Sequence, residues 1–265
     1  MTPPKRLNPP DFPWWLLAAA LLGGWLGWTI ANDSVYAQVA ATLWRGVGVT
    51  VFVTLTAFAL ASALGLLLAV GVLSRSTPLR HIARFYVEIV RGVPILVLLF
   101  YVAFVGAPAL VAGVNALAAP LGFEPVQTRD LSLLWRAILA LTIGYSAFIA
   151  EVFRAGIQAV DPGQIEAAKS LGLSGWRRFR HIVFPQAIRT ILPPLGNDFI
   201  ALIKDSSLVS VLGVADITQL GKIYAAGSFR FFETYNVVAF FYLAMTVGLS
   251  LALRGLERRL GSRSR

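Results

Sequence analysis

The sequence predicts an all-α integral membrane protein. Three observations carry that reading. Of 265 residues, 57% are hydrophobic and only 14% are charged, against about 25% charged in an ordinary soluble domain. The charges are gathered into short stretches separated by uncharged apolar runs, and about 20 apolar residues suffice to span a bilayer. The cations are also divided unevenly between alternate gaps, as membrane orientation requires. A soluble globule of this length has too few charges to cover its surface, so a soluble enzyme with a large buried core is excluded.

Charge gaps define six candidate spans. Residues 12–32 are uncharged, with Trp14, Trp15, Trp25 and Trp28 near the ends, where an interfacial aromatic belt belongs. Lys5 and Arg6 before this run also suit a signal peptide, but no small-residue cleavage site follows, so a retained helix is expected. The second span covers 46–74. The third covers 92–123 and is broken by Pro94, Pro108 and Pro120. The fourth, 137–150, continues helically past Glu151 and Arg154. The fifth, 191–215, is apolar but holds Asp198, Lys204 and Asp205. The sixth covers 234–253.

Six spans put both termini on one side. The gaps on that side hold 17 cations and those on the other hold five, with Lys204 inside a span. The positive-inside rule then places both termini and the long loop after the fourth span in the cytoplasm. The formal net charge of +10 has the same origin. No basic, aromatic-interleaved face points to nucleic acid. Cysteine is absent, and His81 and His181 lie in separate basic stretches, so no metal centre and no disulfide is expected.

The cytoplasmic loop is too rich in Ala, Leu and Trp for a flexible linker. Asp161 can cap a helix, Pro162 suits its first position, and Gln164 can complete a capping box. Gly172 is placed to end that helix. Ser174 can cap a second one through Trp176 and Arg177, and Pro185 then closes the unit. Leu171, Leu173, Trp176 and Phe179 beside Arg177, Arg178 and Arg180 make apolar anchors ringed by charge, a surface suited to a protein groove.

The spacing Glu166-Ala167-Ala168, three residues, Gly172, nine residues, Ile182-x-Phe184-Pro185 resembles the EAA loop of ABC importer permeases. Phe184 stands where that pattern has Leu. Arg91-Gly92-Val93-Pro94, Glu151-Val152-Phe153-Arg154-Ala155-Gly156 and Lys204-Asp205-Ser206-Ser207-Leu208 resemble the polar amino acid branch, of histidine/glutamine type. The resemblance covers about residues 43–259. It implies the type I importer permease fold, a five-helix core with one extra N-terminal helix. Residues 1–42 would form the cytoplasmic N-terminus and extra helix, 43–256 the transport domain with its coupling loop at 161–185, and 257–265 a basic cytoplasmic tail.

The resemblance further implies a bacterial cytoplasmic-membrane importer for polar amino acids. The partners would be two ABC ATPase subunits, a second permease subunit (identical or paralogous), an extracytoplasmic amino-acid-binding protein and membrane lipid. Glu166, Ala167, Ala168, Gly172, Trp176, Arg177, Ile182 and Pro185 would carry ATPase coupling. No Gly-x4-Gly-Lys-Ser/Thr occurs in the chain, so ATP and Mg²⁺ would be held by the ATPase and no cofactor by this subunit.

Ionisable groups within spans usually face a cavity or a partner. Asp198 and Asp205 are seven apart and share one helix stripe, and Asn197 and Lys204 form a second. Pro193, Pro194 and Gly196 can break or kink the start of that helix. Asp198, Asp205, Asn197, Lys204, Ser206 and Glu151 are the candidate substrate-pathway residues, although pairing of these charges among themselves would explain them equally. Glu88 and Arg91, three apart, suit a structural role. A membrane-embedded enzyme would need a catalytic constellation at one depth, and none is found. A stand-alone channel or secondary transporter of small polar solutes leaves the EAA-like loop without a partner.

Overall fold

The computed structural model describes residues 14–261, and within them every regular element is helical. Helix α1 (Trp14–Asn32) is followed directly by α2 (Ser34–Val72), because Asp33 restarts the chain: its Oδ1 accepts from the amides of Val35 and Tyr36 at 2.8 and 3.2 Å. The second span thus begins well before the expected residue 46, and the expected boundary between 42 and 43 falls inside α2. Arg45 misled the charge-gap reading, since one long cation near a helix end reaches water without stopping the helix. At 39 residues, α2 is about 58 Å long, roughly twice the hydrocarbon thickness.

The stretch expected as a loop between spans two and three is a helix, α3 (Thr77–Gly92). Its Ala83, Val87 and Val90 are buried, while Leu79, Ile82, Phe85 and Ile89 are exposed on another face. Glu88 and Arg91 make no ion pair with each other. The Arg91 guanidinium instead lies 5.7 Å from the centre of the Phe148 ring.

The third span is built from α4 (Ile95–Tyr101), a π turn (Val102–Gly106), α5 (Ala107–Ala118) and a 3₁₀ turn (Ala119–Leu121). Pro94 sets its start. Pro108 does not break it: the π turn, in which the Ala107 amide reaches the Val102 carbonyl, takes up the extra residue before the ring. The fourth span is α6 (Leu133–Gln158), helical past Glu151 and Arg154 as expected. At its start, Arg136 donates to the carbonyls of Leu131 (2.8 Å), Ala103 (3.2 Å) and Thr128, fastening the incoming loop.

The loop after α6 holds α7 (Pro162–Ser170) and the short α8 (Gly175–Arg178). Asp161 caps α7 by accepting from the Gly163 amide at 2.7 Å. The expected capping box does not form, because Gln164 accepts instead from Gln186 Nε2 at 2.6 Å. Ser174 makes no side-chain cap. Pro185 does not close the unit. Helix α8 passes through a π turn (Phe179–Val183) straight into α9 (Phe184–Asp205), with Pro185 at the second position of α9.

Helix α9 is continuous through Pro193 and Pro194. The rings remove the helix donors for the Arg189 and Thr190 carbonyls, but they do not divide the helix. A 3₁₀ segment (Ser206–Leu212) follows, then α10 (Ile217–Ser228) and α11 (Phe231–Gly261). The fifth span therefore starts and ends earlier than expected as α-helix. Helix α11 runs into the stretch expected as a tail, while Lys5, Arg6, Arg263 and Arg265 lie outside the described residues.

Among the described residues, four helical stretches are long and apolar enough to cross a membrane: Ser34–Val72, Ile95–Leu121, Leu133–Gln158 and Phe231–Gly255. Helix α1 is itself uncharged over its 19 residues, while α9, the expected fifth span, carries Arg189, Asp198, Lys204 and Asp205 and is not among the four. The main core lies between α2, α4, α6, α9 and the 3₁₀ segment, around Val53, Leu99, Ile138, Leu141, Leu202 and Val209. A second joins the start of α2 to α10 and α11 through Tyr36, Leu43, Ile217 and Val237. A third ties the post-α6 loop to α9 through Val160, Val183, Ala187 and Ile191.

Gly46 is the tightest junction of the second core. A Cβ there would lie 2.6 Å from the Ile217 amide nitrogen and 2.8 Å from the Asp216 carbonyl oxygen. Asp216, fully buried, accepts from the Gln219 amide at 2.8 Å and from the Tyr242 hydroxyl at 3.0 Å.

Candidate functional site

Two regions gather the polar side chains that the sequence singles out. The first lies between α6 and α9, which pack side by side with Tyr145 opposite Asp205 and Gly156 opposite Ile191, so the helices run antiparallel. The Tyr145 hydroxyl donates to Asp205 Oδ2 at 2.7 Å. Asp198, two turns before Asp205 on the same stripe, is partly buried, and its Oδ2 is enclosed without a hydrogen-bond partner. Both carboxylates are within electrostatic reach of the Tyr145 phenol. The adjoining stripe, Asn197 and Lys204, is exposed on the single chain. Ser206 is fully buried, and its hydroxyl donates to the Ile203 carbonyl at 2.7 Å, a local bond across the junction of α9 and the 3₁₀ segment.

Glu151 does not join that cluster. It is held by Arg154, whose Nη2 lies 2.6 Å and Nε 3.0 Å from Oε2, and Arg154 also donates to Gln158. This pair lines a separate cavity of about 270 Å³, with Arg84 and Glu88 from α3 and with Val72, Val87 and Gln158. It lies at the end of α6 that leads into the α7–α8 loop, so the cations of α3 and of that loop share one end of the molecule.

The second region is the α7–α8 loop. Gly172 has φ +71°, the left-handed conformation that glycine adopts without strain, and the Gly172 and Leu173 amides close α7 by bonding the Lys169 and Ala168 carbonyls. Ala168 is buried, and Ile182 is half-buried. Glu166, Ala167, Arg177 and Pro185 are exposed, as are Leu171 (81%) and Trp176 (68%). Trp176 stacks on Phe179, and Phe179 lies against Phe184, with ring centres 6.0 and 6.1 Å apart. A rigid base held by Val183, Ala187 and Ile191 thus presents large apolar side chains outward beside Arg177 and Arg180.

The sequence reading missed Tyr145, Arg84 and Asp216. Tyr145 had a signal, a lone phenol among the small residues Gly144, Ser146 and Ala147. Arg84 had none, because its place depends on α3 folding back beside α6. Asp216 followed the expected fifth span as an ordinary loop residue, and nothing local marks it as buried.

Residues 61–265 match the model of the family described as binding-protein-dependent transport system inner membrane component. The chain is 35% identical over 219 residues to the probable amino-acid permease protein YxeN of Bacillus subtilis, covering 83% of this chain and 91% of that protein. It is 38% identical over 180 residues to the glutamine transport system permease protein GlnP of Escherichia coli, covering 68% and 75%. Among solved structures, a crystal structure of an amino acid ABC transporter with histidines superposes with a TM-score of 0.71 at 36% identity, covering 84% of this chain and 96% of that one. Family match, identity over most of the length and shared fold agree: the chain belongs to the binding-protein-dependent transport system inner membrane components, and it is a permease subunit of an ABC importer, a transport subunit whose ATP hydrolysis is done by a separate ATPase.

Proposed function

We propose that this permease moves a polar amino acid from an extracytoplasmic binding protein into the cytoplasm, past the Tyr145, Asp198 and Asp205 cluster. The observation that carries the reading is the partly buried Asp198, whose enclosed Oδ2 has no hydrogen-bond partner, beside the Tyr145–Asp205 bond. An ionised group is costly within a membrane unless a cavity or ligand meets it, and a substrate ammonium supplies that partner. The names of the similar proteins support the amino acid class. In this reading Asn197 and Lys204 face the second permease subunit or the pathway between subunits, and Glu151 lies toward the exit.

The α7–α8 loop is the surface on which an ATPase docks. Glu166, Ala167, Gly172, Trp176 and Arg177 form its contact face, and Ala168, Ile182 and Pro185 fix its base. The assembly pairs this chain with a second permease, identical or paralogous, and two ATPases that hold ATP and Mg²⁺. Both termini face the cytoplasm, following the 17-to-five distribution of cations.

The decisive experiment is ATPase activity of the reconstituted complex with its binding protein, titrated with a panel of amino acids. Stimulation by a polar amino acid, lost in Asp198→Asn while the ATPase stays bound, is the expected result. Stimulation by no amino acid overturns the substrate class, and unchanged selectivity in Asp198→Asn removes the cluster from the pathway.

A further inference from the structure

The cavity at the α3–α6 corner is distinct from the Tyr145 cluster and from the α7–α8 loop. Its charged lining is two arginines and two glutamates, Arg84 and Glu88 from one wall and Glu151 and Arg154 from the other. Glu151 and Arg154 satisfy each other. Arg84 and Glu88 stand one helical turn apart on α3, and neither forms an ion pair or side-chain hydrogen bond with any described residue. Both are exposed, and Arg84 also acts electrostatically on Glu151, so two charges of opposite sign without a direct partner border a cavity of about 270 Å³. Gln158 offers an amide beside them, and Val72 and Val87 supply apolar wall.

The lining is neutral in sum and dipolar in arrangement. An anion would meet Glu88 and Glu151 as well as the arginines, and a cation would meet the arginines. A molecule carrying an ammonium and an acid group a few bonds apart satisfies both free charges at once, and charge-assisted bonds are the strong ones. We infer that this corner is a binding site for a small zwitterion, with its ammonium on Glu88 and its acid group on Arg84. Two sources have that chemistry: a free α-amino acid in the cytoplasm, and the phosphoethanolamine headgroup of a bilayer lipid. The inference rests on the proposed orientation for the pool that supplies the ligand, and on the proposed function only where that ligand is the transported amino acid. Because the cavity joins α3 to the end of α6, an occupant braces the segment that leads into the coupling loop.

The test uses the whole complex without binding protein, in nanodiscs of phosphatidylglycerol alone or with phosphatidylethanolamine added. Glutamine, glutamate and arginine share the α-ammonium and carboxylate, and each is titrated calorimetrically in the Asp198→Asn background, which removes the proposed central carboxylate. The expected result is amino acid binding that Glu88→Gln or Arg84→Gln weakens about tenfold or more. If the lipid is the ligand, the amino acids do not bind, and phosphatidylethanolamine raises the melting temperature of the complex but not of its Glu88→Gln and Arg84→Gln forms. Either outcome supports the site and names its source. Neither substitution altering either response overturns it. The assay reads binding and not transport, so failure of the proposed substrate class and failure of this site give different results.

Discussion

The hydroxyl of Tyr145 and the carboxylate of Asp205 meet at 2.7 Å, across 60 residues of sequence and between two helices that otherwise touch through apolar and small side chains. A hydrogen bond to a charged acceptor is worth about 1.5–3 kcal/mol. Tyr145→Phe and Asp205→Asn should therefore be coupled, with the double variant less damaging than the sum of the two singles. Thermal unfolding of the complex in nanodiscs measures this, and strictly additive shifts would show that the bond contributes nothing.

The left-handed Gly172 makes a second case. Placing a side chain there costs roughly 1–2 kcal/mol, more for a β-branched residue than for Asn. Gly172→Val should insert normally yet lose uptake and either release the ATPase or leave its hydrolysis insensitive to substrate, while Gly172→Asn keeps most activity. Uptake and ATPase retention are scored together. Full uptake with ATPase bound in Gly172→Val would remove the coupling role.

Orientation is accessible to labelling, because the chain has no cysteine of its own. Single cysteines at Ser174 and Gly261 should react with a membrane-impermeant maleimide only in inverted vesicles. Those at Pro125 and Ser228 should react only from the opposite face. The reverse pattern would turn the molecule over.

Packing at Gly46 should tolerate no side chain. A Cβ there meets backbone atoms of Asp216 and Ile217, whereas a Cβ at Gly196 meets the Cδ1 and Cδ2 atoms of Leu253, which can rotate away. Gly46→Ala is expected to destabilise by about 1–3 kcal/mol, and Gly196→Ala by less. Comparing their melting temperatures in one lipid composition decides the order, and equal shifts would count against the rigid junction.

The sequence made the membrane class, the α6 helix through Arg154, the turn at Gly172 and the shared stripe of Asp198 and Asp205 legible. Each depends on local spacing. It concealed what depends on partners distant in the chain. Helix α3 read as a loop because only uncharged runs count as spans, although Arg80, Arg84, Glu88 and Arg91 fall at the three- and four-residue spacing of one helix face. Charge gaps also misplaced the ends of α2 and α9, since Arg45 and Arg189 lie inside helices that continue past them. Pro193 and Pro194 suggested a break, yet flanking turns and neighbouring helices hold α9 together. Whether Asp198 meets a ligand or a neighbour could not be read from a seven-residue spacing, which is the same for both.

The unbroken course of α9 has a mechanical meaning. Its first turn belongs to the base of the α7–α8 loop, and its last residue is Asp205. The helix has 22 residues, a contour of about 33 Å. A tilt of about 10° imposed at Phe184 would sweep Asp205 sideways by about 6 Å, more than enough to part it from Tyr145. The loop and the carboxylates are then opposite ends of one continuous helix, and Pro193 and Pro194 lie midway between them.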